Sequence, residues 1–305
     1  MMNKPMPLYP GARVALISPS GPVQENKLTA AVESVRTMGL DPVVFPSCTR
    51  THGYLAGNDF SRAEDIEQAF FDSSIDGILC VKGGYGAQRL LERLDWDKIA
   101  ETPKFFGGYS DVTALHIQLN QRCHMATWHI PMPATEWCND MDIFTLASLR
   151  RAMFSGAPGP LYNPENQPLR CLAKGAARGQ LVGGNLSTVV STLGTPWEIN
   201  THHKILFLED VNEPAYRIDR MLLQLKQAGK LADCDGIILG QFTGCEASEE
   251  WGMYTSEEMF KELLLDECKP IISNLFCGHS MPTLSLPMGL NLMIDATNTT
   301  ITVLE

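Results

Sequence analysis

Apolar positions along the first half of the chain come in runs that alternate between strand and helix periods. Residues 11–18 (GARVALIS) are an apolar strand ending in the turn Pro19-Ser20-Gly21-Pro22. From Glu25, the positions Leu28, Ala31, Val32, Val35 and Met38 recur at helical spacing as far as Gly39, a C-terminal stop. Val43-Val44-Phe45 is a second short strand, and strand, helix, strand in that order predicts a parallel sheet. A polar loop over 51–57, a helix over 61–71 (Ala63, Ile66, Ala69, Phe70) and a strand over 77–81 repeat the unit. That strand runs into Lys82-Gly83-Gly84-Tyr85-Gly86, after which Leu90, Leu91 and Leu94 predict a further helix. Phe105-Phe106 begins the next strand, two glycines make a turn, and Val112, Leu115 and Leu119 form a helical stripe. A strand over 125–129, a loop holding Pro131, Pro133, Trp137 and Cys138, and a helix over 142–154 complete this half.

Residues 156–168 are rich in Gly and Pro, with Ala-Pro-Gly-Pro at 157–160, and mark a linker over 156–169 between domains at 1–155 and 170–305. Beyond it, 171–179 and 180–182 read as short β elements, Gly183-Gly184-Asn185 as a turn, and 186–193 as a helix stopped by Gly194. The apolar strand 204–210 closes in Glu209 and Asp210, a helix begins near Ala215, and 236–240 is again a strand. A helix near 257–265 precedes Pro270-Ile271-Ile272, and Phe276-Cys277-Gly278-His279 ends that segment. The tail, 290–294 and 300–304, alternates like paired edge strands. No internal repeat and no low-complexity block is detected.

Length agrees with two cores, because 305 residues exceed what one hydrophobic core of about 250–300 residues holds. The formal charge of −11 and the lack of any Lys/Arg-rich run argue against a nucleic-acid partner. The nine cysteines are odd in number, scattered and never spaced C-x-x-C, and some, such as Cys80, sit in apolar runs. Free thiols in a reducing compartment are expected. The first ten residues hold no apolar signal region and no window approaches a membrane span, so the expected place is the cytoplasm, with no membrane partner.

Ser110 stands where an apolar strand turns into a helix. A serine at such a turn projects from the carboxyl edge of a sheet, with the amide of Asp111 able to face a developing oxyanion. Gly-Tyr-Ser-Asp-Val matches only the first half of G-x-S-x-G, since Val112 occupies the second glycine position, and Ser110 or Asp111 as a plain helix cap fits the same residues. The 83–86 glycine cluster presents bare amides at a strand's carboxyl end, near enough in a parallel sheet to share a crevice with Ser110. Its spacing is neither G-x-G-x-x-G nor a P-loop, which argues against nucleotide phosphate.

A serine nucleophile needs a base and a group that orients it. Of the seven histidines, His129 and His279 each follow an apolar strand and either can enter a cleft; His116 is expected to face elsewhere, and His202-His203 lies in a polar turn. Glu209 and Asp210 are equal candidates for the orienting carboxylate, and an acidic pair at a strand end also serves as a cap. Nothing resembles H-E-x-x-H or a C-x₂-C zinc pattern, so no metal and no cofactor are expected.

Seven blocks stand in order: Lys82-Gly83-Gly84-Tyr85-Gly86, Gly108-Tyr109-Ser110-Asp111, Gly183-Gly184-Asn185-Leu186, Gly194-Thr195-Pro196-Trp197, Leu208-Glu209-Asp210, Tyr216 to Leu222, and Gly278-His279. Together they resemble the LD-carboxypeptidase family (murein tetrapeptide carboxypeptidases, serine peptidase family S66) from about Arg13 to Gly289. The resemblance implies Ser110 as nucleophile, Glu209 as orienting carboxylate and His279 as base, with an oxyanion hole from the backbone of Asp111 and of Gly84 in the Gly83-Gly84 turn. It implies Gly83, Tyr85 and Lys82 as substrate contacts; Lys82 stands where the family commonly has arginine. It also implies a flavodoxin-like or amidotransferase-like N-terminal domain supplying Ser110, a smaller β-rich α+β domain supplying Glu209 and His279, and a homodimer. The implied activity is release of the terminal D-alanine from a murein tetrapeptide, a small peptide substrate, in cell-wall recycling. The nearest alternative is a microcin C self-immunity peptidase acting on a peptidyl or aminoacyl nucleotide, with Trp137, Trp197 and Trp251 as conceivable base stackers; Trp197 lies in a turn shared across the family and discriminates nothing. Lys82 and Arg217 are the candidates for the substrate's terminal carboxylate, Arg217 being equally placed for an ion pair with Glu213 or Asp219.

Overall fold

The computed structural model describes residues 2–156, 158–245 and 255–304, so Ala157 of the expected linker and Trp251 lie outside the described residues. The chain forms two compact units, Met1–Ala157 with Ser285–Gly289, and Pro158–Leu284 with Leu290–Glu305.

In the first unit, strands β1 (Arg13–Ile17), β2 (Asp41–Val44), β3 (Gly77–Cys80), β4 (Phe105–Gly108) and β5 (Thr127–His129) run parallel in the order β5-β4-β3-β1-β2. Helices α1 (Glu25–Thr37), α2 (Asp59–Phe71), α3 (Trp96–Glu101), α4 (Thr113–Gln121) and α5 (Ile143–Ser155) connect or follow them. Parallel strands are covered on both faces, which is why β1, β3 and β4 read as unbroken apolar runs; β3 and β4 are buried at every position. Asn58 caps α2 by accepting the Ser61 amide, and Leu28, Ala31 and Val35 form the buried stripe of α1. A late strand, Leu286–Met288, adds antiparallel to β5 as the sheet edge.

The second unit holds β6 (Gly159–Leu161), β7 (Arg170–Ala173), β8 (Ala176–Asn185), α6 (Leu186–Ser191), β9 (Lys204–Val211), α7 (Ala215–Gln227), α8 (Lys230–Asp233), β10 (Gly236–Thr243), α9 (Ser256–Leu264) and β11 (Ile271–Ser273). The late strand Leu286–Met288 counts as β12, and β13 (Asn291–Asp295) and β14 (Thr300–Val303) complete the unit. Its eight strands are ordered β6-β14-β13-β8-β9-β10-β11-β7. The four central ones, β8 to β11, are parallel and the flanks antiparallel, with β13 and β14 paired as their alternation suggests.

Three local expectations differ from what is found. Leu90, Leu91 and Leu94 are buried, but on a 3₁₀ turn (Ala87–Leu90) followed by further turns, because Asp95 already caps α3 a few residues on and leaves no room for a longer helix. Gly183-Gly184-Asn185 is the end of β8 rather than a turn, in register with Phe207, Leu208 and Glu209. The glycines serve a close strand approach: a Cβ on Gly183 (φ +112°) would stand 2.1 Å from the Phe207 carbonyl oxygen. Within the stretch expected as linker, Gly159–Leu161 pairs with β14 as an edge strand, where Pro160 is tolerated.

Candidate active site

β4 delivers Ser110 into a left-handed backbone conformation at φ +65°, followed by one 3₁₀ turn and then α4. Such a φ costs a residue with a Cβ about 1–2 kcal/mol, so the strain marks a turn sharp enough to present the side chain. Rather than a stripe, α4 is buried from Thr113 through Asn120, which makes the serine's support rigid. His116 is part of that support and not of the chemistry. Its Nε2–H donates to the Gly108 carbonyl and its Nδ1 accepts from the Thr127 hydroxyl, both at 2.8 Å. Burial brings its pKa down to about 4, so the ring is neutral.

The glycine cluster lies against the serine. A Cβ on Gly83 would stand 3.0 Å from Ser110 Cβ and 3.1 Å from its Oγ, so a side chain there would press on the serine. Gly84 (φ +115°) is exposed and Gly83 is buried. Tyr85 is 51% exposed and its ring centroid is 5.8 Å from that of Tyr54, in the polar loop before α2. Lys82 Nζ donates to the Pro22 carbonyl at 3.0 Å.

In the second unit, β9 separates the two carboxylates that spacing left undecided. Successive strand residues face opposite ways. Glu209 faces His279, whose Nδ1 donates to Oε2 at 2.7 Å, with the carboxylate side chain 0% and the imidazole 14% exposed. Asp210 faces the start of α6 and accepts from Asn185 Nδ2 (3.0 Å), the Ser187 amide (2.9 Å) and its own neighbour's Val211 amide (2.8 Å). It braces the first turn of α6, whose own cap is Asn185, and does not cap α7, the helix that follows β9. Burial raises the pKa of Glu209, opposed by the hydrogen bond and charge of His279 and by the Asn185 amide. The segment carrying His279 is fixed by the Gln241 amide donating to the Cys277 carbonyl (2.9 Å) and the Gly278 amide donating to Thr283 Oγ1 (3.2 Å). Gly278 (φ +150°) has room for no side chain, since a Cβ would reach Glu209 Oε2 at 3.1 Å.

The other histidine candidate, His129, is buried with its ring 5.3 Å from that of Tyr109, and Tyr109 donates to Glu136 Oε1 at 2.8 Å. Trp137 is buried and donates to the Pro131 carbonyl, which removes it as a base stacker. Arg217 is exposed and pairs with Glu213 at 3.4 Å. Sequence reasoning missed the side-chain role of Asp111, together with Ser20 and Arg62, all buried; the one signal was a buried-looking Arg62 among the apolar positions of its helix. Among the described residues, no group of three His, Cys, Asp or Glu side chains is arranged to hold a metal, and no helix is long and apolar enough to cross a membrane.

Residues 14–130 match the family model for the LD-carboxypeptidase N-terminal domain, and residues 178–294 match that for its C-terminal domain. The chain is 37% identical over 287 residues to a probable murein peptide carboxypeptidase of Bacillus subtilis (strain 168), covering 94% of this chain and 89% of that one. It is 29% identical over 288 residues to the murein tetrapeptide carboxypeptidase of Pseudomonas aeruginosa strain PAO1, covering 93% of each. A MccF-like protein from Bacillus anthracis str. Ames has the same fold at TM-score 0.89 and 27% identity, over 99% of both chains.

Proposed function

The chain belongs to the LD-carboxypeptidase family and is a serine-type carboxypeptidase, and from that premise we propose that it releases D-alanine from murein tetrapeptide. The reading is supported above all by the 2.7 Å bond between His279 and the buried Glu209, the arrangement an imidazole needs if it is to act as a base in one fixed tautomer. Ser110 Oγ attacks the carbonyl that precedes D-alanine. With Nδ1 donating to Glu209, His279 Nε2 takes the hydroxyl proton and returns it to the amine of the departing D-alanine. The backbone amides of Asp111 and Gly84 hold the oxyanion, and water then cleaves the acyl-enzyme with His279 again as base. Tyr85 and Lys82 border the acyl part of the substrate. The proposed place of action is the cytoplasm and the proposed assembly a homodimer, which fractionation and light scattering check.

The murein reading is tested by mass spectrometry of wild type and Ser110→Ala with the tetrapeptide and, in parallel, an aminoacyl sulfamoyl nucleotide. Expected are D-alanine release by wild type, loss of nearly all turnover in Ser110→Ala, and slower cleavage of the nucleotide. Wild-type turnover by Ser110→Ala removes the mechanism; preference for the nucleotide removes the substrate.

A further inference from the structure

The carboxyl ends of the adjacent strands β1, β3 and β4 are bound to one another by two buried charged side chains. Asp111 accepts through Oδ2 from Ser20 Oγ at 2.5 Å and from the Ala87 amide at 2.8 Å. Arg62, 0% exposed, donates through Nη1 to the carbonyls of Pro19 and Gly86 and through Nη2 to Asp59 at 2.6 Å. The Gly21 amide donates to the Gly83 carbonyl at 3.1 Å. The loop from Gly83 to Ala87 is therefore held at its first residue by the β1 turn and at its last two by Arg62 and Asp111.

We propose that the Asp111 carboxylate is a positioning residue that sets the oxyanion hole. Through Ser20 and the Ala87 amide it fixes the Gly83-Gly84 amides at one distance from Ser110. The inference rests on Ser110 being the nucleophile. Donors stabilise an oxyanion only within about 2.7–3.1 Å of where it forms, and a glycine-rich loop does not hold such a tolerance by itself. Asp111 is adjacent to Ser110 in the chain, so its backbone amide is one donor while its side chain anchors the loop that supplies the other. Both donors then move with the nucleophile. Burial pushes the pKa of Asp111 up, opposed by the Ser20 hydroxyl, the Ala87 amide and the Arg62 guanidinium, and hydrogen bonds to the carboxylate form are the strong kind. Ser20 matters because its turn is the wall against which Gly83 and Gly84 rest: a Cβ on Gly21 would stand 3.0 Å from the Gly83 carbonyl oxygen.

The test compares wild type, Ser20→Ala and Asp111→Asn, each shown folded by thermal unfolding. Two readouts are taken: tetrapeptide kinetics, and the rate at which a fluorophosphonate labels Ser110, which needs the same amides but no peptide. Binding of the tripeptide boronic acid, whose boron becomes tetrahedral on Ser110, is measured alongside. Asp111→Asn keeps one carbonyl oxygen as acceptor. Expected is a fall in kcat of about 10²-fold for Asp111→Asn and about 10-fold for Ser20→Ala, with KM within about twofold. Labelling rate and boronate affinity should fall in step with kcat/KM, because all three report the transition state. A merely structural role would lower the unfolding temperature and leave these ratios alone. Near-wild-type kcat and labelling in both folded variants would overturn the positioning role while leaving the peptidase intact. Absence of labelling in the wild type would instead overturn Ser110 as nucleophile, and the proposal with it.

Discussion

Glu209 and His279 lie 70 residues apart in the chain and share a 2.7 Å hydrogen bond in which the carboxylate is fully buried. Replacing Glu209 with Gln keeps size and shape but lets the amide donate, which favours the tautomer with the proton on the wrong nitrogen. Glu209→Gln should lower kcat by about 10³–10⁴-fold with little change in KM. Steady-state kinetics on the tetrapeptide check it.

Asp210, one residue on, should behave in the opposite way. Asp210→Ala strands the half-buried Ser187 and Val211 amides and the buried Asn185 side chain. A loss of about 1–3 kcal/mol in unfolding free energy is expected, the cost of about one buried unsatisfied donor, since of the three groups only Asn185 is buried. Urea titration of the variant measures it, and the fall in stability should be larger than the fall in activity of the molecules that remain folded.

Gly83→Ala places a methyl group 3.0 Å from Ser110 Cβ and 3.1 Å from Oγ. Gly83 is not among the residues with positive φ, so the harm comes from crowding and not from backbone strain. The fold should persist and kcat should fall by about 10-fold, less than the ~10²-fold that a misplacement of about 1 Å costs, because such a contact asks Ser110 to give by only a few tenths of an ångström. Kinetics together with thermal unfolding separate the two effects.

His116 predicts a pH dependence of stability. Its folded-state pKa is about 4 against an ordinary 6.5. Between those values the unfolded chain binds a proton that the folded one does not, so stability is full above pH 6.5 and declines as pH falls towards 4. The loss is about 3 kcal/mol at 1.36 kcal/mol per pH unit. His116→Gln, which can still donate to Gly108 and accept from Thr127, should flatten that part of the profile in urea titrations between pH 7.5 and 4.5.

The elements that the sequence predicted well are those whose information is local. Runs such as RVALI and GILC announce parallel strands because both faces are covered, and the glycine cluster and Ser110 turn are readable because only certain residues accept those backbone angles. Leucines at 90, 91 and 94 misled because burial spacing is satisfied equally by a chain of turns. Gly183-Gly184 misled because the same freedom that makes a turn also lets two strands approach closely.

Hydrophobic periodicity along the chain determined by itself the α/β class and Ser110 at a strand-to-helix turn, while the peptidase reading came from the resemblance of seven ordered blocks to the LD-carboxypeptidase family. Spacing along β9 left Glu209 and Asp210 equal and the family resemblance implied Glu209; what each carboxylate touches was decided by tertiary structure alone, since it depends on what packs against each face of β9. So was the bond between Asp111 and Ser20, partners separated by 91 residues. Side-chain direction and long-range pairing are set by burial, which is a property of the folded surface and leaves no local mark on the chain.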